Sequence, residues 1–244
     1  MTTPTPALIL FDIDGTLVLT GKAGLRALIA AARRLFGRAD GVDAVPVSGR
    51  TDRAIVRDVL IGLGLDPTRE AIDELRSAYL AELQTEIKRP VADPSLVLPG
   101  VLALLDTLAP HPHLHVALLT GNFARGAEIK LGHFDLWSRF GFGAFGDEHL
   151  DRRDLVPVAT ARARAAGIAI DAPSRVIVIG DTPLDVDCAR AHGASALAVA
   201  TGVFDRQALV DAGAHLSVET LADLGHDLAW VDDLTRSVAS SSLA

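Results

Sequence analysis

Short apolar runs without polar alternation recur at residues 7–11, 115–119, 175–179 and 196–200, with a fainter one at 214–217, and stretches of helical period lie between them. Polar/apolar alternation arises only where one face of a sheet meets water, so its absence marks parallel strands covered on both faces by helices. The chain therefore reads as an α/β fold with a doubly wound parallel sheet. The gap between the first two runs is far longer than one crossover helix requires. Helical period fills it at residues 22–36, 52–63 and 68–88, broken by Gly-rich stretches. A helical domain is thus expected at 21–93, inserted into an α/β core formed by 1–20 and 94–244. Pro90, Pro94 and Pro99-Gly100 mark the return, and the tail from Val231 reads as loosely held.

Charge limits the partners. With 23 basic and 31 acidic residues the net charge is −8, which opposes a non-specific grip on nucleic acid or anionic lipid. Small molecules and metal cations are the expected partners, with no nucleic acid and no membrane, and the chain is expected to be a monomer or a weak homodimer. Cys188 stands alone, so neither an internal disulfide nor a cysteine framework for zinc is available. The run at 7–11 is too short for a signal-peptide core or a membrane span, and a reducing, cytoplasmic setting is expected.

Three strand ends carry the chemistry. Leu8-Ile9-Leu10-Phe11-Asp12-Ile13-Asp14-Gly15 places two carboxylates just past a buried strand, in the region where open α/β sheets bind ligands. Alternating residues share a face, so Asp12 and Asp14 repel unless a cation sits between them or one holds a proton. A hard cation such as Mg²⁺ suits oxygen ligands and retains room for a phosphate oxygen. The second run ends Thr120-Gly121-Asn122, with a helix expected from about Phe123; its free N–H groups and dipole would suit a phosphate, although Thr120 alone reads equally as a helix cap. The third ends Gly180-Asp181-Thr182-Pro183-Leu184-Asp185. There Asp181 repeats the placement of Asp12, and Asp185 lies one helical turn on, able to orient a metal-bound water or a basic residue.

With these motifs in place the sequence resembles the haloacid dehalogenase-like hydrolases, in the subgroup near phosphoglycolate phosphatase. Asp12-Ile13-Asp14-Gly15-Thr16 matches the family's first motif, Thr120 its second, and Gly180-Asp181 with Asp185 its acidic fourth. The resemblance implies a Rossmann-like core, with Asp12 as nucleophile and Asp14 as acid/base. It also implies Mg²⁺ held by Asp12, the main-chain carbonyl of Asp14 and the fourth-motif acids, so that Asp12, Asp14, Asp181 and Asp185 form the expected metal set. The implied activity is a Mg²⁺-dependent phosphatase acting on a small phosphorylated metabolite, phosphoglycolate-like or a sugar phosphate, through a phospho-aspartate. The insert matches the family's helical cap. A phosphomutase with the same aspartates, and a non-catalytic binding module on the same fold, are the alternatives.

The third motif departs from the pattern. The family places a basic residue, often Lys before Pro, at the helix preceding the fourth-motif strand, and here that stretch reads Asp151-Arg152-Arg153-Asp154. Arg152 is the expected substitute, with Arg153 beside it. Lys130, ten residues beyond Thr120, reads as a surface lysine. Gly121 and Asn122 are expected at the substrate phosphate, and Arg50 and Lys22, with Arg53 as a further candidate, at a second anionic group of the substrate. His111, His113 and His115 precede the second strand, at the end away from the site, and read as loop histidines.

Overall fold

The computed structural model describes residues 5–147 and 149–237. In chain order the elements are β1 (Ala7–Phe11), β2 (Val18–Thr20), α1 (Ala23–Phe36), α2 (Asp52–Gly62), α3 (Arg69–Glu86), β3 (Ser95–Val97), α4 (Val101–Leu108) and β4 (Leu114–Thr120). They continue with α5 (Ala124–His133), β5 (Gly143–Phe145), α6 (Leu155–Ala165), β6 (Val176–Gly180), α7 (Pro183–Arg190), β7 (Ser195–Val199), α8 (Arg206–Asp211), β8 (Leu216–Val218) and α9 (Ala229–Ser237). Six strands form one sheet in the order β5-β4-β1-β6-β7-β8, and every pairing in it is parallel. The doubly wound α/β class read from the apolar runs is the class observed.

The strands are apolar throughout because both of their faces are covered. Ile9, Phe11, Ile177 and Ile179 enter one apolar core, under α4, α5 and α9. Leu8, Leu10, Val176 and Val178 enter the other, under α6 and α7. Successive side chains thus alternate between two dry layers, as the pleat requires. The central trio β4-β1-β6 ends on one side of the sheet with Thr120, Phe11 and Gly180, so Asp12, Gly121 and Asp181 leave neighbouring strands side by side.

A third core lies among the helices between β2 and β3. Ala23, Ala27 and Ala31 on α1 let that helix lie close to α3, and Leu60, Leu75 and Leu83 fill the space with α2. Phe123, from the loop after β4, inserts into this core, with its ring edge-to-face on Tyr79 at 6.3 Å. β2 and β3 pair antiparallel, Thr20 opposite Ser95, so the two chain crossings into the helical insert run together.

Several features differ from the sequence reading, among them β2, which no apolar run announces. β3 forms within the Pro-rich return, and β5 is a three-residue edge strand too short to show periodicity. The stretch after Val231 is anchored: Trp230, Val231 and Leu234 of α9 are buried against the sheet, because i, i+1 and i+4 spacing lays them on one helix face. The final residues, 238–244, lie outside the described residues. No described helix is long and apolar enough to cross a membrane.

Candidate active site

Asp12, Asp181 and Asp185 are buried together, each offering a carboxylate oxygen within 4.8 Å of the others. Close approach is possible because Gly15, at φ +80°, and Gly202 carry no Cβ; a methyl group at either would collide with the Asp181 carboxylate. Thr16 Oγ1 donates to Asp181 Oδ1 at 3.1 Å. The Asp185 Oδ2 atom is taken up by the cap of α7, accepting from Thr182 N at 3.0 Å and Thr182 Oγ1 at 2.7 Å. Its Oδ1 faces the cluster and has Arg152 as its ion-pair partner, with no further hydrogen bond.

Charge in this cluster is under tension. Burial raises the Asp12 pKa to about 6 against the pull of Arg152, with Asp185 and Asp14 adding repulsion. Asp181 is raised well above the usual carboxylate range, by burial first and then by Asp185 and Asp12. Three hard oxygen donors, destabilised as anions by lost water and mutual repulsion, are a donor set suited to a divalent cation. Asp14 is not part of it: its carboxylate Oδ2 accepts from Lys130 Nζ at 2.6 Å and from Asn122 Nδ2 at 2.8 Å. As a side-chain metal ligand Asp14 is therefore displaced from the expected set.

Two cations enter the site from different helices. Arg152, in a 3₁₀ turn leading into α6, is buried with Nη2 3.0 Å from Asp12 Oδ1 and 2.5 Å from Asp185 Oδ1. Burial opposes its charge, but the two carboxylates outweigh burial and hold it protonated. Its Nη1 also donates to Gly49 O of the insert at 3.1 Å. Arg153 instead turns outward to pair with Asp151.

Lys130 is the larger departure. It is buried, not a surface lysine, with Nζ bonded to Asp14 Oδ2 and, at 2.6 Å, to Asn122 Oδ1. Its charge survives burial because Asp14 and Asp52 face it. Six residues beyond the start of α5, it returns toward the strand ends by its long stem, with its ammonium close to Gly24 of α1. Rise along the helix axis neglects this reach.

The end of β4 also differs in detail. Thr120 Oγ1 accepts from Asn122 N at 3.3 Å and Asn122 Nδ2 at 2.8 Å, leaving its O–H free to donate. The first N–H groups of α5 are not open to a phosphate: Phe123 N donates to Asp52 Oδ2 at 2.8 Å and Ala124 N to Asp147 Oδ2 at 2.7 Å. The Asn122 amide is similarly engaged by Thr120, Asp14 and Lys130. Arg76 of α3 pairs with Asp147 and lies over the Phe123 ring. Arg53 donates to Asp147 O at 3.3 Å.

Asp52, at the start of α2, is half-buried, and its carboxyl is raised to about 6 by loss of water, partly offset by Lys130. Because its folded-state pKa lies above the unfolded value, its contribution to stability is greatest near pH 4 and falls as the pH rises through about 6. Asp52→Asn keeps an acceptor for Phe123 N. It is expected to stabilise the protein by up to about 2 kcal/mol at pH 7 and by nearly nothing at pH 4. Urea midpoints of both proteins at the two pH values check this; an equal difference at both would exclude the charge as the cause.

A cavity of about 510 Å³ opens above the carboxylates, lined on one side by Asp12, Asp14, Thr120, Gly121 and Asp181 and on the other by α1, α2 and the loop before α2. Lys22 and Arg50 border it, Lys22 with Nζ 3.0 Å from Asp93 Oδ1 and Arg50 with Nη2 2.6 Å from Asp58 Oδ2.

Comparisons with known proteins bear on this arrangement. The family model for haloacid dehalogenase-like hydrolases matches residues 9–190. A phosphoglycolate phosphatase of Synechococcus elongatus is 31% identical over 224 residues, 88% of this chain and 94% of that protein. One from Rhodospirillum rubrum is 28% identical, with 92% of each chain covered. Among solved structures, CbbY from Rhodobacter sphaeroides in complex with phosphate superposes with a TM-score of 0.70 at 20% identity, covering 93% of this chain and all of that one.

Proposed function

Since the chain belongs to the haloacid dehalogenase-like hydrolase family and is a phosphoric monoester hydrolase, we propose that it is a Mg²⁺-dependent phosphatase acting on a small phosphorylated metabolite through a phospho-aspartate. The observation that carries this reading is the buried Asp12, Asp181 and Asp185 cluster with Arg152 against it, at the ends of adjacent strands. The relatives named as phosphoglycolate phosphatases and the neighbour holding phosphate support a phosphorylated substrate.

In this reading Asp12 attacks phosphorus in line and the bond from phosphorus to the alcohol oxygen breaks. Asp14 gives its proton to the departing oxygen. Its Oδ2 is held by Lys130 and Asn122, which leaves Oδ1 to carry that proton. Asp14 then takes a proton from water, whose oxygen attacks the phospho-aspartate, releasing inorganic phosphate and restoring Asp12. The Thr120 hydroxyl donates to a phosphoryl oxygen, and Arg152 holds Asp12 and opposes the charge gathered there. Asp12 and Asp181, with Asp185 beside them and the Asp14 carbonyl as the family resemblance implies, would hold Mg²⁺, which supplies positive charge against the phosphoryl oxygens. The insert, residues 21–93, acts as a cap over the cavity, excluding water and selecting the alcohol.

Release of inorganic phosphate from phenyl phosphate tests the reading. With Mg²⁺ the protein is expected to turn over, and with chelator to lose at least about a hundredfold in rate, because the clustered carboxylates then lack a counter-charge. Added Mg²⁺ restores it. Undiminished release from metal-free protein would overturn the metal dependence, and an isomerised phosphate ester in place of free phosphate would favour a mutase.

A further inference from the structure

The cavity has two unlike ends. At the sheet end stand the carboxylates, Thr120, Arg152 and Lys130; at the other stand Leu25 and Leu28 of α1, Val47, Ile55 and Val56. Leu25 is informative. It is only partly buried, and it belongs to none of the three apolar cores although it lines the cavity. A leucine so placed has apolar surface left over for whatever enters.

The cations of the lining are already matched. Arg152 faces Asp12 and Asp185, Lys130 faces Asp14, Arg50 faces Asp58 and Lys22 faces Asp93. Asp52 adds a further acid to the wall. A carboxylate on the substrate would therefore meet no buried unpaired cation there: binding it through Arg50 would require breaking a half-buried ion pair, and Lys22 is a solvated lysine at the exposed rim. Space points the same way: a cavity of about 510 Å³ is of the size that receives ligands larger than a phosphoryl group on a two-carbon acid. The Tyr79 hydroxyl lies on the side of Lys130, next to Gly24, where burial and its acidic neighbours Asp52 and Asp14 keep it protonated.

We propose that the cap end of this cavity selects phosphate monoesters of uncharged, predominantly apolar alcohols, seated on Leu25, Leu28, Val47, Ile55 and Val56. This rests on the phosphatase reading and narrows it away from carboxylate-bearing, phosphoglycolate-like esters. On this proposal Lys22 and Arg50, expected from sequence to hold a second anionic group, border the cavity without serving that role.

Straight-chain alkyl phosphates test the proposal, since alcohols from ethyl upward leave almost equally well and differences among them report binding. With Mg²⁺, kcat/KM is expected to rise about two- to fourfold per methylene from ethyl to hexyl phosphate, and phosphoglycolate to fall at least about tenfold below hexyl phosphate. Leu25→Asn, outside every apolar core, should flatten that dependence. Calorimetric binding of the same esters to the Asp12→Asn protein in Mg²⁺ gives a readout without turnover. Hydrolysis with no chain-length dependence in either measurement, or with phosphoglycolate preferred, overturns the apolar selection and leaves the phosphatase reading standing. Affinity that rises with chain length in a protein hydrolysing none of these esters overturns the phosphatase reading and upholds the apolar ligand class.

Discussion

Asp12→Asn is expected to abolish phosphate release while leaving a folded protein, a loss on the order of 10³-fold or more, as for removal of a nucleophile whose partners act as a unit. The amide is isosteric with the carboxylate, so β1, its register and the cores on either face are untouched. The substitution also removes one of three repelling anions. Because Asp12 is raised to about 6 by burial before any other influence, its neutral replacement relieves desolvation, while Arg152 keeps Asp185 as a partner at 2.5 Å. Metal-free Asp12→Asn protein should therefore unfold at no lower a urea concentration than the wild type, and Mg²⁺ should stabilise it less than it stabilises the wild type, since one ligand is lost. Turnover assays with unfolding curves in Mg²⁺ and in chelator read both effects. Wild-type turnover by the folded variant would remove Asp12 from the nucleophile's role and require another carboxylate, with Asp181 adjacent.

The sheet and its active edge were legible because their signals are local. Five apolar residues followed by Asp-x-Asp-Gly state a strand, its end and its acids within ten positions, and the run at 176–180 does the same for Asp181 and Asp185. The Arg152 side chain was also findable, since the cation demanded by so many carboxylates had few sources near that helix start. Lys130 was not, because its contact with Asp14 spans 116 residues and depends on how α5 leaves β4 and how closely α1 approaches. Sequence spacing fixes a residue's height along a helix but not the reach of a four-carbon stem. The open helix terminus expected after Asn122 failed for a related reason: the acids that occupy it, Asp52 and Asp147, come from segments 71 and 23 residues away from their partners. β5 and β3, of three residues each, carry no periodicity to detect, and their pairing is set by neighbours already in place. The apolar chamber under the insert was invisible for the opposite reason. Its leucines and valines have the same spacing as core residues, and only the packed helices separate Leu25, which faces space, from Leu60, which faces protein.

Arg152→Met should affect stability and turnover together. A guanidinium with Nη2 at 3.0 Å from Asp12 and 2.5 Å from Asp185 is the counter-charge of both, and removing one side of a buried ion pair costs about 3–5 kcal/mol because the abandoned charge stays buried. Mg²⁺ can offset part of this by binding the freed carboxylates, so the destabilisation should be larger in chelator than in metal. For turnover the loss is expected to be about 10²–10³-fold, the scale for deleting one preorganised charge donor. Arg152→Lys should recover part of each, since it restores the charge but not the fork that reaches Asp12, Asp185 and Gly49 at once. Arg153→Ala is the control: its side chain is half exposed and paired with Asp151 at the surface, so stability should change by less than about 0.5 kcal/mol and turnover little. Lys130→Met separates the two buried cations. If Arg152 steadies the nucleophile and Lys130 the acid/base, losing Lys130 should weaken turnover most for esters with poor leaving groups, which need the proton from Asp14, and least for phenyl phosphate. Losing Arg152 should depress both classes alike. A Lys130→Met protein as impaired on phenyl phosphate as Arg152→Met, beside an Arg152→Met protein that turns over normally, would transfer the charge-balancing role at Asp12 from Arg152 to Lys130.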